Sequence, residues 1–200
     1  FEAFDKVIFV GPHMLRNAQQ RNPALNSNGT VIYNGVDIDA MQAVPRQPTN
    51  GKMLGLVGLV PQSKRIDRAL DILKQLRKED TGYTLRVKGK QPADYPWMAK
   101  YRPEEMAWYD EQYRRIAEDP DLQGAVVFDS HGNDMPQWYA GIDFILSVSD
   151  HESFHLAVAE GAASGCTPIV LPWEGADEIY PSEWVYLDTT KATEGVKAGP

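Results

Sequence analysis

The stretch from residue 142 to residue 171, IDFILSVSDHESFHLAVAEGAASGCTPIVL, decides the fold class of this chain. It holds an apolar run at 142–148, an Ala-rich segment at 154–164 and a second apolar run at 168–171. Short, nearly continuous apolar runs are typical of strands buried on both faces, and the Ala-rich segment predicts a helix. The stretch therefore predicts a strand–helix–strand unit in a parallel sheet.

The same alternation continues over residues 52–188. Predicted strands lie at 53–58, 83–87, 125–128, 142–148, 168–171 and 184–187. Predicted helices lie at 65–79, 106–116, 134–140 and 154–164, and an aromatic loop occupies 91–103. This pattern predicts an α/β fold with a doubly wound, Rossmann-like parallel sheet.

Sheets of this kind bind ligands beyond the carboxyl ends of their strands. The loops at those ends are therefore the candidate sites: 59–64, 88–91, 129–133, 149–154 and 172–177.

The residues before 52 form a separate pattern. Strands are predicted at 7–10 and 31–33, with a helix at 13–21 between them. Residues 40–51 are polar and Pro-rich without periodicity, which predicts a linker.

Composition excludes several classes of protein. With 42% hydrophobic residues in 200, the chain can build a core, which excludes disorder along its whole length. A net charge of −8 argues against binding to nucleic acid and to anionic membranes. A chain with one cysteine, Cys166, has no internal disulfide or CxxC metal site, and a reducing compartment is favoured. We expect Cys166 to be a small buried residue, and the start without Met to lie within a longer protein.

The polar segment 149–154 contains Asp150, His151 and Glu152 at the end of a predicted strand. One interpretation is a capping box, because Ser149 and Glu152 have the S-x-x-E spacing. The other is a ligand site against a helix amino terminus, where free N–H groups favour an anion such as phosphate. Spacing alone leaves both open.

Three further charged residues have two interpretations each. Glu160 lies in an otherwise apolar helix, where its carboxylate needs a hydrogen-bond partner. The partner is either a donor within the protein or the hydroxyl pair of a ligand. Lys64 and Arg65 lie at the start of a predicted helix, where they are either solvated or bind phosphate. The phosphate interpretation is favoured by the helix dipole, because cations at a helix start are unfavourable without an anionic partner.

Several common motifs are missing. Four scattered histidines give no metal triad, and the chain lacks a GxSxG nucleophile elbow, a P-loop and a GxGxxG fingerprint. We therefore predict neither a metal nor a cofactor.

Residues 149–168, SDHESFHLAVAEGAASGCTP, resemble the signature of group 1 glycosyltransferases with the GT-B fold. That family has roughly PS-x-x-E-x-F-G, a second Glu eight residues after the first, then A-x-x-x-G-x-P; Glu152 and Glu160 keep this spacing. Four other segments resemble the family in its order: VIYNGVD at 31–37, LVGLVPQSKRIDRAL at 56–70, LRVKG at 85–89 and WEGADEI at 173–179.

The resemblance implies one half of a two-domain enzyme. Residues 1–37 would end an N-terminal acceptor domain, 38–51 would be the linker, 52–188 the donor domain and 189–200 a C-terminal tail. The family transfers sugar from a nucleotide-diphosphate sugar with retention and without a bound metal. The implied partners are the donor, the missing N-terminal domain, and a glycan or glycolipid acceptor of polysaccharide biosynthesis. The implied location is cytoplasmic, with the cytoplasmic face of a membrane as an alternative through the missing domain.

The resemblance also implies roles for single residues. Glu160 would accept hydrogen bonds from the ribose, and Glu152 would contact sugar hydroxyls near the reacting carbon. The diphosphate would meet Lys64, Arg65 and the backbone amides at Phe154 and His155, and the base would lie near Ser130 and His131.

Four residues depart from the family pattern. Leu59 stands where Arg is usual, Arg65 and His155 where Gly is usual, and Gly161 where Ala is usual. A side chain at position 155 puts a close approach of the backbone to the diphosphate in doubt. Residues 91–124 are also longer than the family pattern, and their aromatic side chains either pack on a helix, which we favour, or cover a partner surface.

Two other functions remain open. One is another GT-B-like chemistry, such as a sugar-nucleotide epimerase or an α-glucan phosphorylase, although the chain shows no motif for a pyridoxal-binding lysine. The other is a non-catalytic nucleotide-binding or structural domain, which the departures at Leu59 and His155 keep possible.

Overall fold

The computed structural model describes residues 4–199 and contains two parallel sheets. The small sheet pairs β1 (Val7–Phe9) with β2 (Gly29–Val31). The large sheet consists of β3 (Met53–Val57), β4 (Thr84–Lys88), β5 (Val126–Asp129), β6 (Phe144–Ser147) and β7 (Thr167–Val170). Its strand order is β5-β4-β3-β6-β7, and all neighbours are parallel. The predicted doubly wound α/β fold is confirmed.

Ten α-helices accompany the sheets in the described part of the chain. They are α1 (Pro12–Arg21), α2 (Leu25–Asn28), α3 (Ile38–Gln42), α4 (Ile66–Arg77), α5 (Met98–Tyr101), α6 (Pro103–Glu118), α7 (Met135–Tyr139), α8 (Leu156–Ala163), α9 (Ala176–Ile179) and α10 (Thr189–Ala198). Short 3₁₀ turns lie at Gln62–Lys64, Pro92–Asp94 and Ser182–Trp184. No helix among these residues is long and apolar enough to cross a membrane.

Apolar side chains on both sides of β3 explain why helices cover both faces of the large sheet. Leu54 and Leu56 point into the larger hydrophobic cluster, which includes the buried face of α4. Met53 and Val57 point to the opposite face, where they pack on a cluster formed around α7. Each fully buried leucine contributes about 2 kcal/mol, so packing holds these helices on the sheet.

The strand order places a crevice at the carboxyl ends of β3 and β6. The chain moves outward from β3 to β4 and β5, then returns to the other side of β3 at β6, so this pair is the topological switch point. The loops after β3 and β6 therefore meet. The N–H of Asp150 in one loop donates to the carbonyl of Ser63 in the other at 2.8 Å.

The small sheet and α1 pack against the region around residues 173–179. Arg16 on α1 forms an ion pair with Glu178, and the Asn17 amide donates to both Glu174 oxygens at 3.1 Å. The second strand, predicted at 31–33, instead covers Gly29–Val31.

The linker predicted at 40–51 is more ordered than expected. Its first residues belong to α3, which begins because the Asp37 carboxylate accepts the N–H of Ala40 at 2.9 Å. The following residues are hydrogen-bonded to the larger unit: Arg46 donates to the Tyr139 carbonyl at 2.8 Å, and the N–H of Gln47 to the Ala140 carbonyl at 2.8 Å. The sequence pattern did not predict the capped helical turn at 40–42, whereas residues 43–52 form neither helix nor strand.

Two predictions for the C-terminal part were also wrong. Residues 184–187 do not form a sixth strand; a 3₁₀ turn precedes a single bridge between Val185 and Val170. Thr189–Ala198, which were assigned to a C-terminal tail, form α10 instead; this helix packs on α4 and buries Ala192 and Val196 in the larger cluster.

The aromatic loop at 91–103 contains a 3₁₀ turn and α5. Tyr95 and Trp108 pack against the core, whereas Trp97 and Tyr101 are exposed. Tyr109 and Tyr113 also pack there, so the packing interpretation holds for four of the six aromatic side chains in 91–124.

Candidate functional site

Two adjoining cavities lie at the carboxyl edge of the large sheet. The Lys64 cavity, about 390 Å³, is lined by residues that include Asn34, Gly58, Lys64, Glu152, His155 and Glu160. The Lys88 cavity, about 500 Å³, is lined by residues that include Gly58, Lys88, Gly89, Tyr95, His131 and Glu160. Gly58 and Glu160 belong to both, so a single ligand can occupy the two cavities together.

An ion pair joins the loops after β3 and β6 in the Lys64 cavity. The Lys64 ammonium lies 2.6 Å from Glu152 Oε1, and the Ser149 hydroxyl donates to the same oxygen at 2.7 Å. Burial opposes ionisation of Glu152, but His155, the Lys64 ammonium and the Ser149 hydroxyl favour it, and the pKa of Glu152 is lowered. The site thus presents a fixed ammonium beside an ionised carboxylate.

Of the two interpretations of Ser149 and Glu152, the structure excludes the capping box. Helix α8 begins only at Leu156, and the Ser149 side chain bonds the Glu152 carboxylate rather than a backbone amide. The S-x-x-E spacing therefore belongs to the loop before the helix.

Arg65 is directed away from both cavities. Its guanidinium bonds Asp67 and Asp150, and it lines a separate cavity of about 460 Å³ together with Arg68. The structure does not bring Arg65 together with Lys64, so Arg65 does not replace the arginine that Leu59 displaces. Leu59 itself is buried in the larger cluster.

The side chain of His155 is turned into the protein interior. With φ 59°, the residue lies in the left-handed region, and its side chain is only 4% exposed. Nδ1 lies 2.6 Å from the Ser147 hydroxyl, which accepts the indole N–H of Trp173 at 3.0 Å. The backbone at position 155 adopts the conformation that favours glycine, and its imidazole does not block the cavity.

The amides of His155 and Leu156 point away from the interior. The Tyr180 hydroxyl lies 2.9 Å from both the Phe154 and the His155 carbonyl oxygens, so these carbonyls face inward. In a trans peptide the carbonyl and the next N–H point in opposite directions. The N–H groups of residues 155 and 156 therefore face outward at the amino end of α8, where an anion is favoured.

His155 gives the fold a dependence on pH. Burial lowers the pKa of its imidazole to about 4, against the opposing effect of the Glu152 carboxylate. In the unfolded chain the value is about 6.5, so between these values the unfolded chain binds a proton that the folded chain does not. The free energy of unfolding therefore falls as pH falls from 6.5 toward 4, by up to about 1.4 kcal/mol per pH unit.

Urea unfolding of the chain at pH 5.0 to 6.5 measures this slope. His155→Asn should remove it, because asparagine tolerates the left-handed region and does not titrate. His151→Asn, a change at an exposed neighbour, should keep it. Equal slopes in the wild type and in His155→Asn would show that His155 is not the responsible group.

Glu160 projects from α8 at the junction of the two cavities. The Tyr139 hydroxyl donates to its Oε2 at 3.0 Å, so the carboxylate has a structural donor and keeps further lone pairs for a ligand. The next residue, Gly161, packs so closely on β6 that a Cβ there would lie 2.9 Å from the Ile145 side chain. This contact explains why glycine replaces the usual alanine.

Sequence reasoning missed Lys88 and Asp134. Lys88 ends β4 with its side chain 6% exposed, and its ammonium lies 2.8 and 2.9 Å from the two Asp134 oxygens. His131 lines the same cavity, whereas Ser130 lines two neighbouring hollows. Lys88 is the second-last residue of the LRVKG segment. It was missed because the sequence pattern of this segment identifies a strand and does not indicate a ligand-binding side chain.

His13 was also missed. This buried residue of α1 donates from Nε2 to the Glu152 carbonyl at 3.1 Å and packs on Trp173. Gly175, with φ 88°, leaves room for the ring, since a Cβ there would lie 2.2 Å from His13 Nδ1. The first unit of the chain therefore supports the loop that carries Glu152.

Comparison with protein families identifies a matching family. The model of the family "Glycosyl transferases group 1" matches residues 51–191. No curated protein matches the chain.

Three solved structures with the same fold illustrate the similarity. The structure of Anabaena HepE in complex with UDP-glucose has 17% identity and a TM-score of 0.77, covering 97% of this chain and 53% of that one. WaaG, a glycosyltransferase involved in lipopolysaccharide biosynthesis, has 15% identity and a TM-score of 0.71, with coverage of 96% and 53%. A UDP-forming trehalose-phosphate synthase from Burkholderia xenovorans has 14% identity and a TM-score of 0.71, with coverage of 98% and 53%. This chain spans about half the length of each.

Proposed function

The chain belongs to the group 1 glycosyl transferases, and from this membership we propose that residues 52–188 bind the nucleotide-diphosphate sugar donor of a retaining transfer reaction. The observation that carries the proposal is the position of Glu160, where the Lys64 cavity meets the Lys88 cavity. A nucleoside diphosphate has the ribose between its base and its diphosphate. Glu160 then accepts the ribose hydroxyls, with the base on one side and the diphosphate on the other.

The Lys64 cavity suits the diphosphate. The Lys64 ammonium and the outward amides at the start of α8 supply positive charge where the leaving group gains negative charge. Because these groups are held in place before the reaction, they stabilise the departing diphosphate without reorganising. In this proposal, Lys64 and the helix end provide the charge stabilisation and the transfer uses no bound metal.

The reaction breaks the bond between the anomeric carbon and the diphosphate oxygen and forms a bond to an acceptor hydroxyl. The hydroxyl proton leaves with the diphosphate, and the anomeric configuration is retained. Glu152 accepts hydrogen bonds from sugar hydroxyls near the reacting carbon. Its ionised state, favoured by Lys64, makes it an acceptor only.

The small sheet supports the presence of an acceptor domain in the whole protein. Two strands of three residues are not stable alone in water. Three large apolar side chains of this unit are exposed: Ile8, Ile32 and Tyr33. This exposure is expected if further strands and helices of the same domain cover them in the whole protein. We propose that residues 1–37 end this acceptor domain and that the acceptor is a glycan or glycolipid of polysaccharide biosynthesis. Residues 38–51 link it to the donor domain, and the enzyme works in the cytoplasm or at the cytoplasmic face of a membrane.

Calorimetric titration of the 200-residue chain tests donor binding. We expect at least one of UDP, GDP and ADP to bind with a Kd below about 1 mM, and its nucleoside, which lacks the diphosphate, to bind much more weakly. Folded protein that binds none of the three would contradict the proposal.

A further inference from the structure

Lys88 lines the cavity assigned to the base and is paired with Asp134, which lines the neighbouring hollow. The Lys88 side chain is 6% exposed, whereas its partner Asp134 is 57% exposed. The buried cation lines both the Lys88 cavity and a neighbouring hollow of about 410 Å³, and the Asp134 carboxylate lines that hollow. Keeping a buried lysine charged is energetically costly, and here the partly exposed Asp134 carboxylate stabilises the charge.

Helix capping does not account for Asp134. This residue is at the N-cap of α7, where aspartate ordinarily accepts backbone N–H groups. Here its side chain makes no cap bond, and both oxygens bond Lys88 at 2.8 and 2.9 Å. The loop is shaped for this, because a Cβ on Gly132 would lie 2.6 Å from Asp134 Oδ1.

The pair offers a ligand one donor next to one acceptor. An ammonium has three protons, and the Asp134 oxygens accept two of them, so one remains for the Lys88 cavity. Asp134 keeps free lone pairs on the side of the neighbouring hollow, next to Lys88. A group placed against Lys88 must therefore accept, and a group beside it that reaches Asp134 must donate.

This inference rests on the proposed function. We propose that Lys88 and Asp134 select a donor whose base has a keto oxygen next to an imino N–H, namely uracil or guanine, over cytosine and adenine. Uracil presents O4 and guanine O6 as acceptors, whereas cytosine and adenine present amino groups at the same places. An amino group next to Lys88 would place two hydrogen-bond donors together. The third N–H of the buried Lys88 ammonium would then have no acceptor.

Calorimetry with UDP, CDP, GDP and ADP tests the selection, since each keto base has an amino counterpart of nearly equal size. For the wild-type chain we expect UDP to bind at least about tenfold more tightly than CDP, and GDP at least about tenfold more tightly than ADP. Lys88→Met should bring both ratios near one. Asp134→Asn, which keeps the size of the side chain and one oxygen as an acceptor for Lys88, should reduce them.

Lys90→Met is the matched control. Lys90 is exposed on the rim of the same cavity, so its loss should weaken all four nucleotides alike and keep the ratios. Equal affinities for keto and amino bases, a preference for amino bases, or unchanged ratios in Lys88→Met would overturn the selection while leaving donor binding intact. Failure of all four to bind would instead overturn the proposed function, and the selection with it.

Discussion

Replacing Glu160 by alanine is expected to weaken binding of the preferred nucleoside diphosphate by about 100-fold or more. In the proposed complex this carboxylate accepts both ribose hydroxyls. Hydrogen bonds to a charged acceptor contribute about 1.5–3 kcal/mol each, and the variant loses two. Calorimetric titration of wild type and variant measures the difference directly.

A sugar analogue makes this prediction specific to Glu160. The 2′-deoxy form of the nucleotide should bind the wild type more weakly than the parent, whereas Glu160→Ala should no longer distinguish the two. Glu118→Ala, at an exposed glutamate of α6, is the control and should change neither affinity. If Glu160→Ala keeps the wild-type affinity and still folds, the carboxylate serves only as the acceptor of the Tyr139 hydroxyl.

Replacing Lys64 by alanine is expected to lower both stability and diphosphate affinity. The change leaves Glu152, 10% exposed, with the Ser149 hydroxyl but without its cation. An uncompensated, mostly buried carboxylate costs about 2 kcal/mol or more. We also expect the affinity for the diphosphate to fall by about 100-fold, while the much weaker affinity for the nucleoside stays unchanged. Urea unfolding and calorimetry measure the two effects separately.

A double variant separates these roles of Lys64. Lys64→Met with Glu152→Gln removes both charges, so stability should return toward the wild-type value while diphosphate affinity stays low. Recovery of affinity in the double variant would mean that Lys64 acts only by neutralising Glu152.

Much of the fold could be predicted because its signals are local. The apolar strand of residues 144–147 and the periodic leucines of α4 each identify their element without reference to the rest of the chain. Elements whose structure depends on contacts with residues distant in sequence were assigned wrongly. Residues 184–187 look like a strand but lie beyond β7 with a single bridge, and α10 is defined by its packing on α4.

The site could be predicted only in part for the same reason. Glu152 and Glu160 follow a spacing within one segment, whereas the partner of Lys64 is 88 residues away in sequence. Lys88 and His13 were missed because contacts with distant residues place them at the candidate site: Lys88 bonds Asp134 before α7, and His13 bonds the Glu152 carbonyl before α8. Arg65 was misjudged because its backbone conformation, with φ 55°, turns it toward Asp67 and Asp150.

A crystal structure of the chain with its preferred nucleoside diphosphate tests the central claim most directly. The account predicts the diphosphate within hydrogen-bond distance of Lys64 Nζ and the amides of His155 and Leu156. It also predicts the ribose hydroxyls on Glu160 and the base in the Lys88 cavity. A diphosphate bound instead by Arg65 and Arg68, in the cavity on the other side of the loop after β6, would contradict it.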